Sequence, residues 1–164
     1  MAEYWAAEYS LIRVFESGEQ SHSDPAEDAK PLMDIVVLHT SDASTLCALK
    51  MAAKLADELS TRVHLVAPRV VPYPLALERP QVPVSFTARK LQELAGEAGV
   101  DVSAEIILCR DLMTTLSVIL KPQSLIVMGG HRSRWWSFNW LEREYRLAQR
   151  LRTLGHQVVY AELD

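Results

Sequence analysis

The stretch Gly129-Gly130-His131-Arg132-Ser133-Arg134-Trp135-Trp136 gathers two glycines, an imidazole, two guanidiniums and two indoles directly after the apolar run Leu125 to Met128. Glycines let backbone amides come close to an anion, and arginine holds phosphate or carboxylate through paired hydrogen bonds. Recognition of a phosphate or another anion is the chemistry such a set supports. The plainer reading is a solvated basic loop, and Trp135, Trp136 and Trp140 then pack beneath it as anchors instead of stacking on a base. A second polar cluster, His39-Thr40-Ser41-Asp42, follows the apolar run Ile35 to Leu38. His39 with Asp42 or Asp34 suggests acid-base chemistry. Yet no serine or cysteine stands in a recognisable nucleophile elbow, and the five histidines show no metal-ligand spacing. Binding without catalysis is expected, with no catalytic residue, no metal and no enzyme activity.

The elements that must position these residues alternate along the chain. "DIVVL" (Asp34 to Leu38) is a β-branched run suited to a strand buried on both faces. Ser41, Asp42 or Ser44 then offers an N-cap, and Leu46, Leu49, Ala52 or Ala53, Ala56 and Leu59 recur at helical spacing. "RVHLVAP" (Arg62 to Pro68) reads as a second strand. Pro68, Pro72, Pro74, Pro80 and Pro83 predict a stiff irregular loop after it. A helix from about Ser85 to Ala98 is expected to stop at Gly99, and "FTARK" (Phe86 to Lys90) is read simply as its opening. "VSAEIILC" is the third strand, "DLMTTLSVILK" a short helix capped by Asp111, and "SLIVM" the fourth strand. A last helix, about Phe138 to Leu154, places Leu141, Tyr145, Ala148 and Leu151 inward, and "QVVYAEL" is the fifth strand. This β-α-β order predicts an α/β fold: a mostly parallel sheet with helices on both faces.

At 164 residues and 49% hydrophobic content, the chain suits one compact domain with a preceding segment. Residues 1–32 form an acidic N-terminal extension and linker: residues 1–17 suit a short amphipathic helix built on Trp5, Tyr9, Leu11, Ile12 and Phe15. Ser17 to Pro31 has linker composition. The domain proper spans 33–164. No run approaches the roughly 18 apolar residues of a membrane span, and no signal peptide is visible. A cytoplasmic protein without direct membrane insertion is therefore expected. Cys47 and Cys109 lie in apolar segments and read as buried free thiols. Net charge is −4, with acids clustered in residues 1–30 and arginines at 132, 134, 143, 146, 150 and 152. Those of the last helix read as its solvent face; overall acidity opposes a nucleic-acid surface, so no nucleic acid is expected as a partner.

From about residue 33 to 162 the sequence resembles the universal stress protein family, with its adenine-nucleotide alpha-hydrolase-like fold. "DIVVLHTSDASTLCALKMAAKLADEL", "RVHLVAP" and, most specifically, "SLIVMGG" carry the resemblance. It implies a Rossmann-like sheet of five parallel strands in the order 3-2-1-4-5, and a crevice beyond the carboxyl ends of strands 1 and 4. His39, Thr40, Ser41, Asp42, Gly129, Gly130, His131, Arg132 and Arg134 would line it as ligand-binding residues. Members that bind ATP have Gly, two residues, Gly, nine residues, then Gly with Ser or Thr. Counted from Gly129, Arg132 takes the second glycine's place, and Glu142 and Arg143 the last pair's, so the glycine motif is broken. Those members also tend to have an aspartate where His39 stands.

The expected function is a regulatory or ligand-sensing domain of universal-stress type in stress response, nucleotide-binding at that crevice. ATP or AMP are the cofactors to consider, with the phosphate near Arg132. The alternative is a dimerisation or docking module that has lost ATP binding. It would work as a homodimer through the last strand, "QVVYAEL", or with a protein partner. A nucleotide hydrolase would need a metal and a positioned water that no motif provides.

Overall fold

The computed structural model describes residues 7–16, 34–131 and 138–163, with residues 131 and 138–142 described through their backbone alone. Ten elements follow in order: β1 (Tyr9–Phe15), β2 (Ile35–Leu38), α1 (Asp42–Leu59), β3 (Val63–Val70), α2 (Val84–Ala98), β4 (Val102–Cys109), α3 (Leu112–Ile119), β5 (Leu125–His131), α4 (Phe138–Thr153) and β6 (Gln157–Leu163). The six strands form one sheet in the order β1-β4-β3-β2-β5-β6. The α/β architecture follows the expectation, but the sheet has six strands and is mixed where five parallel strands were expected. The strands from Ile35 onward run parallel, and β1 joins β4 antiparallel.

β1 replaces the amphipathic helix expected over residues 1–17. Its residues alternate, Tyr9, Leu11 and Arg13 outward and Ser10, Ile12 and Val14 inward, and Ile12, Val14 and Phe15 pack on the core. Period two decides against a helix once β4 offers a free edge whose ladder groups need partners. A single helix of that length, with nothing to pack on, is marginal in water. The pairing shifts register between Arg13 and Phe15, where the ribbon ends.

β2 lies between β3 and β5 and is buried on all four residues, as expected of a β-branched run covered on both faces. Its odd positions, Ile35 and Val37, join Leu65, Ala67, Ile106, Leu108 and Val127 beneath α1 and α2. Its even positions, Val36 and Leu38, join Val66, Ile107, Ile126 and Met128 beneath Leu116 of α3 and Ala148 and Leu151 of α4. In α4 the inward stripe is shifted from the expected one: Tyr145 is exposed, while Glu144 is buried and accepts a 3.3 Å hydrogen bond from the Tyr160 hydroxyl. Burial, and after it the Glu144 charge, pushes the Tyr160 phenol up to about 12. β3 continues through Pro68 to Val70, past the expected end of the strand. Val66 carbonyl, on the β2 side, accepts from His39 N–H at 2.9 Å. Pro68 points the same way two residues later, where β2 has already stopped, so its missing N–H costs no ladder bond.

The helix ends follow their capping residues. Ser41 Oγ accepts from Ser44 N–H at 3.3 Å at the start of α1, and Gly99, at φ 65°, closes α2 with its N–H on the Ala95 carbonyl. Asp111 Oδ1 accepts from Thr114 N–H at 2.7 Å, and hydrogen bonding from the Thr114 side chain first, then from this N–H, holds the Asp111 carboxyl below its ordinary value. A carboxyl lowered on folding stabilises above its unfolded pKa, and that stability is lost as pH falls through the folded value. Asp111→Ala is therefore expected to lower unfolding free energy by about 1 kcal/mol at pH 7. In urea denaturation the gap from the parent protein should hold at pH 5 and narrow below the ordinary aspartate value of 3.8.

Candidate functional site

β2 ends at Leu38, whereas β3 and β5 run on to Val70 and His131. The first residue after β2, His39, keeps its strand direction by donating its N–H to Val66, and its side chain falls on the α1 and α2 face. There His39, Asp42, Arg69, Val82, Phe86, Thr87 and Lys90 line a cleft of about 280 Å³. The polar members come from three elements: Asp42 opens α1, Arg69 is the second-last residue of β3, and Thr87 and Lys90 lie on the first turns of α2.

His39 is only 8% exposed, and neither ring nitrogen has a hydrogen-bond partner. Its Nε2 stands 3.6 Å from Asp42 Oδ1, beyond hydrogen-bond reach, so the carboxylate acts on it as a charge and not as an acceptor. Burial first, and the Arg69 charge second, hold the imidazole below its ordinary value. His39 is thus a neutral ring with unused donor and acceptor capacity at the cleft wall. Asp42 Oδ2 accepts from Lys90 Nζ at 3.0 Å, which lowers the carboxyl and raises the ammonium. Burial pulls the Arg69 guanidinium down from its ordinary value, partly offset by Asp42. With Arg69 and Lys90 positive and Asp42 negative, the side chains of the cleft carry one net positive charge at neutral pH. The amino end of the 18-residue α1 adds further positive potential. Val82 and the half-exposed Phe86 form an apolar wall. The arrangement can hold a small molecule that combines an anionic group with a flat apolar part.

The expected site residues divide accordingly. His39 and Asp42 meet in the cleft. Thr40 and Ser41 between them serve the local backbone: Thr40 N–H donates to Thr45 Oγ1 at 3.2 Å, and Ser41 Oγ bonds Ser44. Gly129 and Gly130 were expected at the mouth of a phosphate loop, but β5 continues through both to His131, paired with β6. A Cβ on Gly129 would overlap the Ser44 carbonyl, and one on Gly130 would overlap the Tyr160 ring. Close approach of α1 and β6 is what requires glycine at these positions. Arg132, Arg134, Trp135 and Trp136 lie outside the described residues, as do the side chains of His131 and Trp140. Arg69, Lys90, Thr87, Val82 and Phe86 were not anticipated. The available signals were an arginine in strand alternation after "HLVA" and the polar members of "FTARK". Among the described residues no cluster of histidine, cysteine and carboxylates is able to hold a metal ion.

No family model matches the chain, and no curated protein matches it. Among solved structures it is similar to a universal stress protein in complex with cAMP, at 18% identity and a TM-score of 0.48, over 79% of this chain and 97% of that one. It is also similar to a universal stress protein from Archaeoglobus fulgidus, at 13% identity and a TM-score of 0.47, over 78% and 92% of the two chains. Among the described residues no helix is long and apolar enough to cross a membrane.

The glycine contacts make a contrasting pair of substitutions. Gly129→Ala forces α1 away from β5 and is expected to cost about 1 to 3 kcal/mol of stability. Gly96→Ala, in α2 with open space around its Cβ, is expected to add about 0.4 to 1 kcal/mol. Urea denaturation of the two variants checks both signs.

Proposed function

We propose that this chain is a universal-stress-like regulatory or ligand-sensing domain in the cytoplasm, whose ligand cleft is non-enzymatic. Its cleft at the carboxyl ends of β2 and β3 takes a small anionic ligand. A nucleotide is the ligand class that suits it best, ATP and AMP first, with the phosphate on Arg69 and Lys90 and the base against Phe86. Arg132 and Arg134 are further phosphate partners in this reading. The observation that carries it is His39: a buried neutral imidazole with two unpartnered nitrogens beside a cleft of net positive charge. Such a ring costs stability unless something hydrogen-bonds it, and a ligand supplies that bond. Occupancy, not turnover, is the signal: a ligand against Val82 and Phe86 would tighten the proline-rich segment between β3 and α2 and alter the outer surface there.

A second reading, a dimerisation or docking module, is favoured by one observation. β6 is an edge strand paired on one side only, with Val158, Val159 and Leu163 only partly covered. It allows pairing with a second copy.

Calorimetric titration of ATP, AMP and cyclic AMP into the purified chain tests the first reading. Micromolar binding is expected, weakened about tenfold to a hundredfold by Arg69→Ala or Lys90→Ala, the range for losing one hydrogen bond to a charged group. Affinity unchanged in both variants would place the ligand elsewhere. No binding, together with a dimer by sedimentation, would favour the docking module.

A further inference from the structure

The opposite end of the sheet carries a polar row that the cleft does not use. His64 of β3 and Ser103 of β4 are register partners in adjacent parallel strands, and Ser103 Oγ hydrogen-bonds His64 Nδ1. Across the sheet, His64 Nε2 faces Asp34 Oδ2 at 3.7 Å, just before β2. That carboxylate is largely buried and is fixed by Lys121 Nζ at 2.7 Å. All three side chains alternate with residues that face α1 and α2, so they lie on the other face. The α3 and α4 side chains packed there cluster with Val36, Val66 and Ile107, farther along β2, β3 and β4. His64 and Ser103 line a cleft of about 260 Å³ with Arg13, Glu16, Arg62 and Glu105. Arg13 is taken by Glu16 at 3.0 Å and Glu105 at 3.8 Å, whereas no carboxylate among the described residues pairs with Arg62.

We propose that Ser103, His64 and Asp34 form a serine nucleophile site for small carboxylic esters, separate from the ligand cleft and independent of the function proposed for it. The nucleophilic tautomer is the one in which Ser103 Oγ donates to Nδ1. With Nδ1 accepting from Ser103, the imidazole proton sits on Nε2, turned towards Asp34. At 3.7 Å the Asp34 carboxylate acts on the ring as a charge, and it stabilises the imidazolium once Nδ1 takes a proton. The His–Asp distance is longer than a hydrogen bond, as is common in sites without substrate.

In the first step Ser103 Oγ bonds to the ester carbonyl carbon and its proton passes to His64 Nδ1. The ester C–O bond then breaks, and the leaving alkoxide takes that proton as the alcohol departs. In the second step water attacks the acyl-serine, gives a proton to His64, and Ser103 regains its own as the carboxylic acid leaves. The negative charge on the tetrahedral carbonyl oxygen has Arg62 as its countercharge. A cleft of this size, with Arg62 paired to no carboxylate among the described residues, selects short acyl groups, with preference for those that bear a carboxylate.

Reaction of the whole chain with diisopropyl fluorophosphate, followed by peptide mass spectrometry, tests this directly. The reagent forms an Oγ–P bond and releases fluoride, with the serine proton passing to His64. One adduct on Ser103 is expected, with the labelling rate at least a hundredfold lower in His64→Phe and at least tenfold lower in Asp34→Asn. Ser117→Ala, on the exposed face of α3, is expected to label at the parent rate. Hydrolysis of p-nitrophenyl acetate should fall in step with labelling. An unlabelled Ser103 in the parent protein, adducts only elsewhere, or full-rate labelling in His64→Phe would each overturn the proposal. The parent result stands without regard to how any variant folds.

Discussion

Most of what distinguishes this molecule depends on the unequal length of three neighbouring strands. β2 stops at Leu38 in the middle of the sheet, while β3 and β5 continue beyond it. A short central strand leaves its successor, His39, inside the core layer, with its N–H still on the Val66 carbonyl but its ring nitrogens without hydrogen-bond partners. It also leaves the last residues of β3 open on that side, which is why Pro68 is tolerated there and why Arg69 reaches the cleft. The chain must turn at once into α1, and the contact between Ser44 and Gly129 seats the helix directly over the extended end of β5. Had β2 been two residues longer, His39 would be one more ladder residue.

The electrostatics of the cleft follow from that geometry. Lys90 engages Asp42, so the carboxylate is committed and His39 feels it only at a distance. Arg69, drawn partly out of water, disfavours a second positive charge on the ring. The protein thereby maintains a neutral imidazole beside two cations, an arrangement suited to meeting an anion that brings its own hydrogen-bonding groups. At the other end of the sheet His64 is treated differently: it is half-exposed, bonded by serine and faced by a fixed carboxylate. Two histidines in one sheet thus have opposite surroundings, set by where their strands stop and start.

Much of this is legible in the amino-acid sequence alone. The β-branched runs at Ile35 and Leu125, the cap Asp111 and the stop at Gly99 announce themselves locally, and the cap of α1 is narrowed to Ser41, Asp42 or Ser44, because capping and burial on both faces leave marks in short windows. Tyr9 to Phe15 did not: its apolar residues fit a helical stripe as well as an alternation, and only the free edge of β4, far along the chain, decides between them. Gly129 and Gly130 were read through the resemblance as anion-binding glycines, yet what demands them is the approach of Ser44 and Tyr160, which no local pattern reveals. Arg69 and Lys90 escaped for a related reason. Each is an ordinary residue in its own segment, and becomes part of a site only when β3 and α2 are brought beside His39.

The state of His39 is the most direct test of this account. Nitrogen-15 chemical shifts of its ring, followed against pH and then against added AMP, report both its charge and its partners. The expected result is an imidazole that stays neutral below the ordinary histidine value of 6.5 in the free protein, and ring shifts that move on AMP addition in the parent but not in Arg69→Ala. Titration at the ordinary value, with ring shifts indifferent to AMP at saturating concentration, would contradict it.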